Sequence, residues 1–328
     1  MEKSNLYQAL NYEPLENNKV RCKLCSHYCS IAPEKYGMCG VRINSNGILY
    51  TLTFGRAVSI ANDPIEKKPL FHFYPGSRSL SLATFGCNFK CEFCQNHSIS
   101  QVRNKIHDIF TPPEHIIKMA THYKCHSISY TYSEPIVFYE YAYTIGVTAR
   151  ENNIKNVFVT NGFMSPETIE HAKFFLDAAN VDLKFFNNET YKTLCGGALE
   201  PVLHSIKMLY NYNIWIEITT LIIPGINDSE KELTQIAEFI SSVSPNIPWH
   251  ISRFHPDYKM LDREWTSLET LNNAYRIAKR VGLKYIFLGN VPGDPSENTF
   301  CPNCKSILIE RCGYHIVKNS LHDNLCPK

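Results

Sequence analysis

From residue 80 onward the chain alternates short apolar runs with longer amphipathic stretches. Runs at residues 80–85, 127–132, 157–160, 180–183, 214–221, 249–253 and 284–288 read as strands. The stretches at 113–122, 137–151, 166–178, 200–210, 229–243 and 267–281 read as helices. Their ends carry the expected punctuation. Ser165 is a capping residue with Pro166 in the first helical position, Pro113 follows Pro112, and Gly282 lies just past a helix end. Strand–helix repetition implies a parallel sheet with right-handed crossovers. Six or so units predict an α/β fold, a partial (βα)6 TIM-like barrel with small cysteine-rich N- and C-terminal modules. Such barrels place their chemistry at the C-terminal ends of the strands.

The flanks differ from this repeat. Residues 1–79 form an N-terminal cysteine-rich module and connector. Within it GILYTLTFGRAVS (47–59) reads as strand, and DPIEKKPLFHFYPG (63–76), with its three prolines, reads as an ordered extended connector. Residues 80–295 are the barrel, and 296–328 form a tail with its own cysteines. No internal repeat or low-complexity tract is visible.

Composition narrows the class. Apolar residues make up 44% of the 328 and charged residues 20%, as in soluble globular proteins, and the net charge of +2 carries no general basic excess for nucleic acid. Met1–Asn11 is polar, and no apolar run approaches the roughly 18–20 residues of a membrane helix. The expectation is a cytoplasmic protein with no membrane partner. In a reducing compartment, 13 cysteines point to metal ligation more than to disulfides. Four fall within 22–39, three within 87–94 and four within 301–326, while Cys125 and Cys195 stand apart.

The central group is GCNFKCEFCQN, placing Cys87, Cys91 and Cys94 in one loop after the first barrel strand. Thiolate is the natural ligand of iron–sulfur clusters. Three cysteines hold three irons of a cubane and leave the fourth for S-adenosylmethionine (SAM), whose reductive cleavage yields a 5′-deoxyadenosyl radical. A zinc loop would more often show paired C-x2–4-C knuckles. C-x3-C-x-aromatic-C resembles the signature of the radical SAM superfamily. The chain is similar to the AmmeMemoRadiSam-system radical SAM enzymes through DPIEKKPLFHFYPGS, GCNFKCEFCQN, YTYSEP, VTNGF, VDLKFF, LIIPGIND, PWHISRFHP and LGNVPGD. Its barrel also resembles the activating enzymes of glycyl radical enzymes.

The resemblance implies a set of SAM contacts. Phe93 would line the adenine, and Glu134 with neighbouring Ser133 would meet the methionine amine, where a carboxylate makes a charge-assisted hydrogen bond. Asn161 ends the third strand beside a glycine. Asp182 and Lys184, on one face of the fourth strand, would face the ribose or carboxylate. Thr219 and His255 are further candidates near the adenosyl group, and Arg253 could anchor an anionic substrate. Val159 stands where the activases carry an acid, so a cation site depending on that acid is not expected.

Cys22, Cys25, Cys29 and Cys39 give four thiols that suit either a structural zinc or an auxiliary iron–sulfur cluster. Cys301 and Cys304 form one knuckle. The resemblance implies a second at the C-terminus, but the chain ends Cys326-Pro327-Lys328, so either Cys312, His315 or His322 supplies a fourth ligand or the site is degenerate. A low-potential electron donor such as a flavodoxin or ferredoxin is implied. The substrate is open among a glycyl radical protein, a nucleic acid base and a small molecule. A non-catalytic zinc or redox protein would need the cysteines but not the acidic and basic residues at successive strand ends.

Overall fold

The computed structural model describes residues 6–328. The N-terminal module begins with short strands that form two small three-stranded sheets. One joins β1 (Tyr7–Gln8) to β6 (Ile48–Thr51) and β5 (Arg42–Ser45), and the other joins β2 (Tyr12–Pro14), β3 (Val20–Cys22) and β4 (Ser30–Ile31). The barrel sheet has eight strands in sequence order: β7 (Ser59–Pro64), β8 (Arg78–Ala83), β9 (Ser127–Tyr130), β10 (Lys155–Thr160), β11 (Ala178–Asp182), β12 (Trp215–Ile222), β13 (Trp249–Arg253) and β14 (Ile286–Gly289). From β8 to β14 every pairing is parallel. The tail forms a third small sheet of β15 (Thr299–Phe300), β16 (Ile307–Cys312) and β17 (His315–Asn319).

The parallel strands and their helices follow the sequence pattern, giving the partial TIM-like barrel expected. The helix Pro113–His122 has the anticipated ends, and Ser165, Ser229 and Ser267 each cap a helix by accepting from a backbone N–H. The helix at 166 stops at Ala172, short of residue 178, because Ala178 already pairs as the first residue of β11. Residues 135–138 form a 3₁₀ turn before the helix Tyr139–Glu151.

The main departure lies between residues 47 and 76. The segment read as one strand is interrupted after Thr51, and Ser59–Pro64 pairs antiparallel with β8 as an extra edge strand of the barrel. Pro64 ends β7, where its missing N–H breaks no ladder bond. The proline-rich connector then turns inward. Ile65 and Leu70 bury against Val157 and Ala178 at the starts of β10 and β11. The backbone N–H groups of Phe71 and His72 donate to the buried Glu217 carboxylate at 2.9 and 2.8 Å, and Trp215 and His250 also donate to it. Residues 157, 178 and 217 share strand faces with the cavity-lining 159, 182 and 219. This strap therefore plugs the barrel interior and gives the cavity above it a floor.

Candidate functional site

The loop after β8 carries Cys87, Cys91 and Cys94 to the C-terminal mouth of the barrel, where all three line one cavity of about 390 Å³. Two glycines make the close packing possible. Gly86 adopts φ +94, and a Cβ there would lie 2.6 Å from Val41 of the N-terminal module. Gly162, at φ +70, would bring a Cβ within 2.8 Å of Val181. The first residue seats the cysteine loop on the module, and the second lets the turn after β10 lie against β11.

Burial pushes the Cys87 thiol well up, with the Glu134 carboxylate adding to it, and burial likewise raises Cys94. Cys91 is raised first by its contact with Cys195 and then by burial. Bare thiols in this loop thus resist ionisation. Donors are already in place around them. The Phe89 N–H lies 3.3 Å from Cys87 Sγ, and Ser100 Oγ lies 3.1 Å from Cys94 Sγ.

Residues from successive strand ends complete the wall: Thr131–Glu134 after β9, Val159 and Thr160 of β10 with Asn161 after it, Asp182 of β11 with Lys184 after it, Thr219 of β12 and Ser252 of β13. Glu134 is buried and accepts from Thr160 Oγ1 (2.7 Å), the Asn161 N–H (2.9 Å) and the Ile136 N–H (3.3 Å). Burial nevertheless raises its pKa to about 7. Ser133 Oγ is buried without a protein partner in the same wall. Lys184 ion-pairs with Asp182 at 2.7 Å. Burial works against the ammonium, but the Asp182 carboxylate, with the Cys91 and Cys195 sulfurs, holds its pKa well above the usual lysine value. Phe93 is buried under this pair and meets Phe185 edge-on.

The candidates do not all converge. Thr219 lines the cavity but spends its hydroxyl on Asn180 Oδ1 at 3.0 Å. His255 is not among the lining residues. It stands one contact back, with Nε2 3.1 Å from Nε2 of the lining residue Gln95. Arg253 stacks on Trp265 and donates to the Thr266 carbonyl, which turns it from the cavity. At the C-terminus Cys301, Cys304 and Cys326 gather within 4.8 Å of one another. Cys312 does not join them as the expected ligand: it ends β16 exposed, opposite His315 across the hairpin, away from those three thiols. His315 and His322 also fall outside that group. The four N-terminal cysteines, Cys22, Cys25, Cys29 and Cys39, surround a separate cavity.

Three site residues escaped the sequence pattern. Cys195, isolated in sequence, lies with its Sγ 3.4 Å from Cys91 Sγ. Tyr314, at the tip of the C-terminal hairpin, lines the cavity mouth. Tyr132 lines it too, in the left-handed region (φ 63), and donates to Asp63 at 2.5 Å beside Lys68, whose pKa burial lowers to about 8. The proline-rich signal around Lys68 was visible, but nothing in it said that the segment turns into the barrel.

Comparison with known proteins agrees with this geometry. The family model described as the radical SAM superfamily matches residues 81–240. An uncharacterized protein of Methanocaldococcus jannaschii is 47% identical over 306 residues, covering 93% of this chain and 91% of the relative. A putative glycyl-radical enzyme activating enzyme of the same organism is 25% identical over 221 residues, covering 64% and 79%. The crystal structure of a radical SAM methyltransferase from Sphaerobacter thermophilus aligns with TM-score 0.52 at 15% identity, over 66% of this chain and 67% of that one, and so shares the fold. By its family model, its fold and the cysteine loop at the barrel mouth, the chain belongs to the radical SAM superfamily and is an enzyme of that class.

Proposed function

We propose that Cys87, Cys91 and Cys94 hold three irons of a 4Fe–4S cluster, with SAM filling the cavity beside it. The carrying observation is that three thiols of one loop and the polar ends of five successive strands line a single cavity of about 390 Å³. The residues present fit the cofactors. The unpartnered, buried Ser133 hydroxyl and the buried Glu134 carboxylate offer an acceptor surface for an ammonium group. Lys184 offers a cation to a carboxylate, and Phe93 gives an apolar face for a ring. When bound, the cluster supplies the electron that cleaves SAM to the 5′-deoxyadenosyl radical, which removes hydrogen from a substrate.

The protein's part is to bind, orient and exclude water. Glu134 is braced by three donors, so its carboxylate cannot swing toward the thiols. Asn161 ties the two sides together: its N–H donates to Glu134 and its Nδ2 to Asn88 Oδ1 at 2.7 Å, beside Cys87. The strap below closes the floor against water. A flavodoxin or ferredoxin is the class of electron donor required. The substrate reading we favour is a protein residue activated to a radical, supported by the 25% identical putative glycyl-radical enzyme activating enzyme.

The test is anaerobic reconstitution with iron and sulfide, reduction, addition of SAM and chromatography for 5′-deoxyadenosine, beside the triple Cys87/Cys91/Cys94→Ala variant. Product from the wild type alone supports the reading. A reducible cluster in the wild type that neither binds nor cleaves SAM overturns it.

A further inference from the structure

We propose that Cys22, Cys25, Cys29 and Cys39 hold a second iron–sulfur cluster rather than a zinc ion. The four thiols come from β3, its following turn and the loop before β5, and all four line one cavity of about 20 Å³. That exceeds the roughly 10–15 Å³ that admits a single water. A tetrahedral zinc site has no such space: Zn–S bonds of about 2.3 Å draw the sulfurs to about 3.8 Å from one another, and the ion fills the centre. The C-terminal group shows what that crowding looks like. Its three sulfurs all lie within 4.8 Å, and Cys304 and Cys326 are 3.6 Å apart. Among the described residues no three of the N-terminal thiols meet that limit, and they leave between them a space that a polynuclear centre would fill.

Two further features suit a cluster. The other walls combine Leu24, Ile31, Ile136 and Val137, which shield the space, with His27 and the Arg42 guanidinium, a cation that suits a cluster of thiolates. Gly37 closes one side, where a Cβ would lie 3.2 Å from Ile31 and 3.9 Å from the sulfurs of both Cys29 and Cys39. Asn88 also lines the cavity. It is 2% exposed, its Oδ1 is taken by Asn161, and its Nδ2 has no partner. A buried donor left without an acceptor is destabilising, and the sulfurs of a cluster would be acceptors for it; such bonds help set cluster potentials. Asn88 directly follows Cys87, so the two centres meet at one peptide of the signature loop.

The experiment uses the full chain with Cys87, Cys91 and Cys94 replaced by Ala, reconstituted anaerobically and analysed for iron, acid-labile sulfide and zinc, with Mössbauer spectra of the same samples. The expected result is a brown protein that keeps about two to four irons with matching sulfide, lost when Cys25 and Cys39 are also changed to Ala. Circular dichroism and the metal content of the C-terminal site show whether that last variant is folded. In the wild type, dithionite reduction should give an electron paramagnetic resonance spectrum broadened by coupling between two nearby centres. A triple variant with no iron, whether it carries zinc on these cysteines or no metal there, overturns the proposal. This outcome is independent of the catalytic reading, since failure of the Cys87 site would leave the triple variant's iron unchanged.

Discussion

At the scale of single residues, Glu134 sets the clearest test. Burial lifts its pKa to about 7 from an ordinary 4.5. Without ligand, its folded-state protonation contributes stability that is complete below pH 4.5 and is lost as pH rises through about 7. A bound ammonium reverses that preference, because it needs the ionised carboxylate. SAM affinity is therefore expected to rise with pH up to about 7, by at most about tenfold per unit, and to level off above. Glu134→Gln should flatten the profile and weaken binding by about 1.5–3 kcal/mol, the range for a charged hydrogen bond; equilibrium dialysis between pH 5.5 and 8.5 (about the range where the group titrates) reads both. A slope unchanged in Glu134→Gln would assign the titration to another group. Cys195 makes a second case. Its thiol lies 3.4 Å from Cys91 Sγ and can donate to a ligated thiolate. Cys195→Ala should keep the cluster's iron but lower its midpoint potential, on the order of tens of millivolts, because a donor to a ligand sulfur has gone. Loss of iron in redox titration samples would instead make Cys195 a ligand. The two residues differ in legibility. Glu134 stood in a motif at a strand end, whereas Cys195 reaches the loop only through the helical turn 188–195 folding back, with Lys90 N–H donating to its carbonyl, a long-range contact with no local signature.

At the scale of elements, the parallel strands were readable because each is a short apolar run ended by polar residues, and the polar ends became the cavity wall. β7 was not readable, since an antiparallel edge strand on a parallel barrel is specified by its partner β8 and not by its own pattern. The strap was misread as a connector for a similar reason: its burial depends on Glu217, 145 and 146 residues away, accepting its N–H groups. How the N-terminal module attaches was equally silent in sequence. Arg42 of β5 makes a two-pronged contact with Glu140 of the helix Tyr139–Glu151, at 2.9 and 2.6 Å, with both side chains almost wholly buried. The Leu10 N–H adds a third bond to the same carboxylate. Removing one partner strands the other charge, so Arg42→Ala should destabilise by about 3–5 kcal/mol, while Arg42→Met with Glu140→Leu should recover most of the loss. Thermal unfolding of the metal-loaded protein compares the variants. Equal loss in single and double variants would mean that packing, not an uncompensated charge, dominates.

At the scale of the whole molecule, both cysteine-rich ends pack against the barrel, and the C-terminal one is tied to the strap through Arg311 and through Thr299, whose Oγ1 lies 3.0 Å from His72 Nε2. Arg311 is buried, stacks on Phe71 with its guanidinium 4.5 Å from the ring centre, and donates to the Phe71 carbonyl, the Glu297 carbonyl and Thr299 Oγ1. It thereby clamps the tail to the strap that floors the cavity, while Tyr314 of the same hairpin reaches the cavity wall. Sequence revealed the tail's cysteines but not this bond, which joins residues 240 positions apart. The sheet of β15, β16 and β17 is small, and its own core is only Cys301, Leu308 and Ile309 with a few partners. A domain of that size needs a metal or a host surface to stay folded. If a metal on Cys301, Cys304 and Cys326 supplies part of that stability, Cys304→Ser should loosen the tail and, through Arg311, the strap beneath it. Hydrogen exchange read by mass spectrometry should then accelerate across 299–319 and 69–76 by on the order of tenfold, about 1.4 kcal/mol of local opening. Protection across 127–160, held by parallel strand pairing, should be unchanged. Arg311→Ala should reproduce the change in 69–76 with the C-terminal metal still bound, which separates the clamp from the metal site. Acceleration confined to 299–328 in both variants would show that the tail is an appendage, and that the cavity's floor does not depend on it.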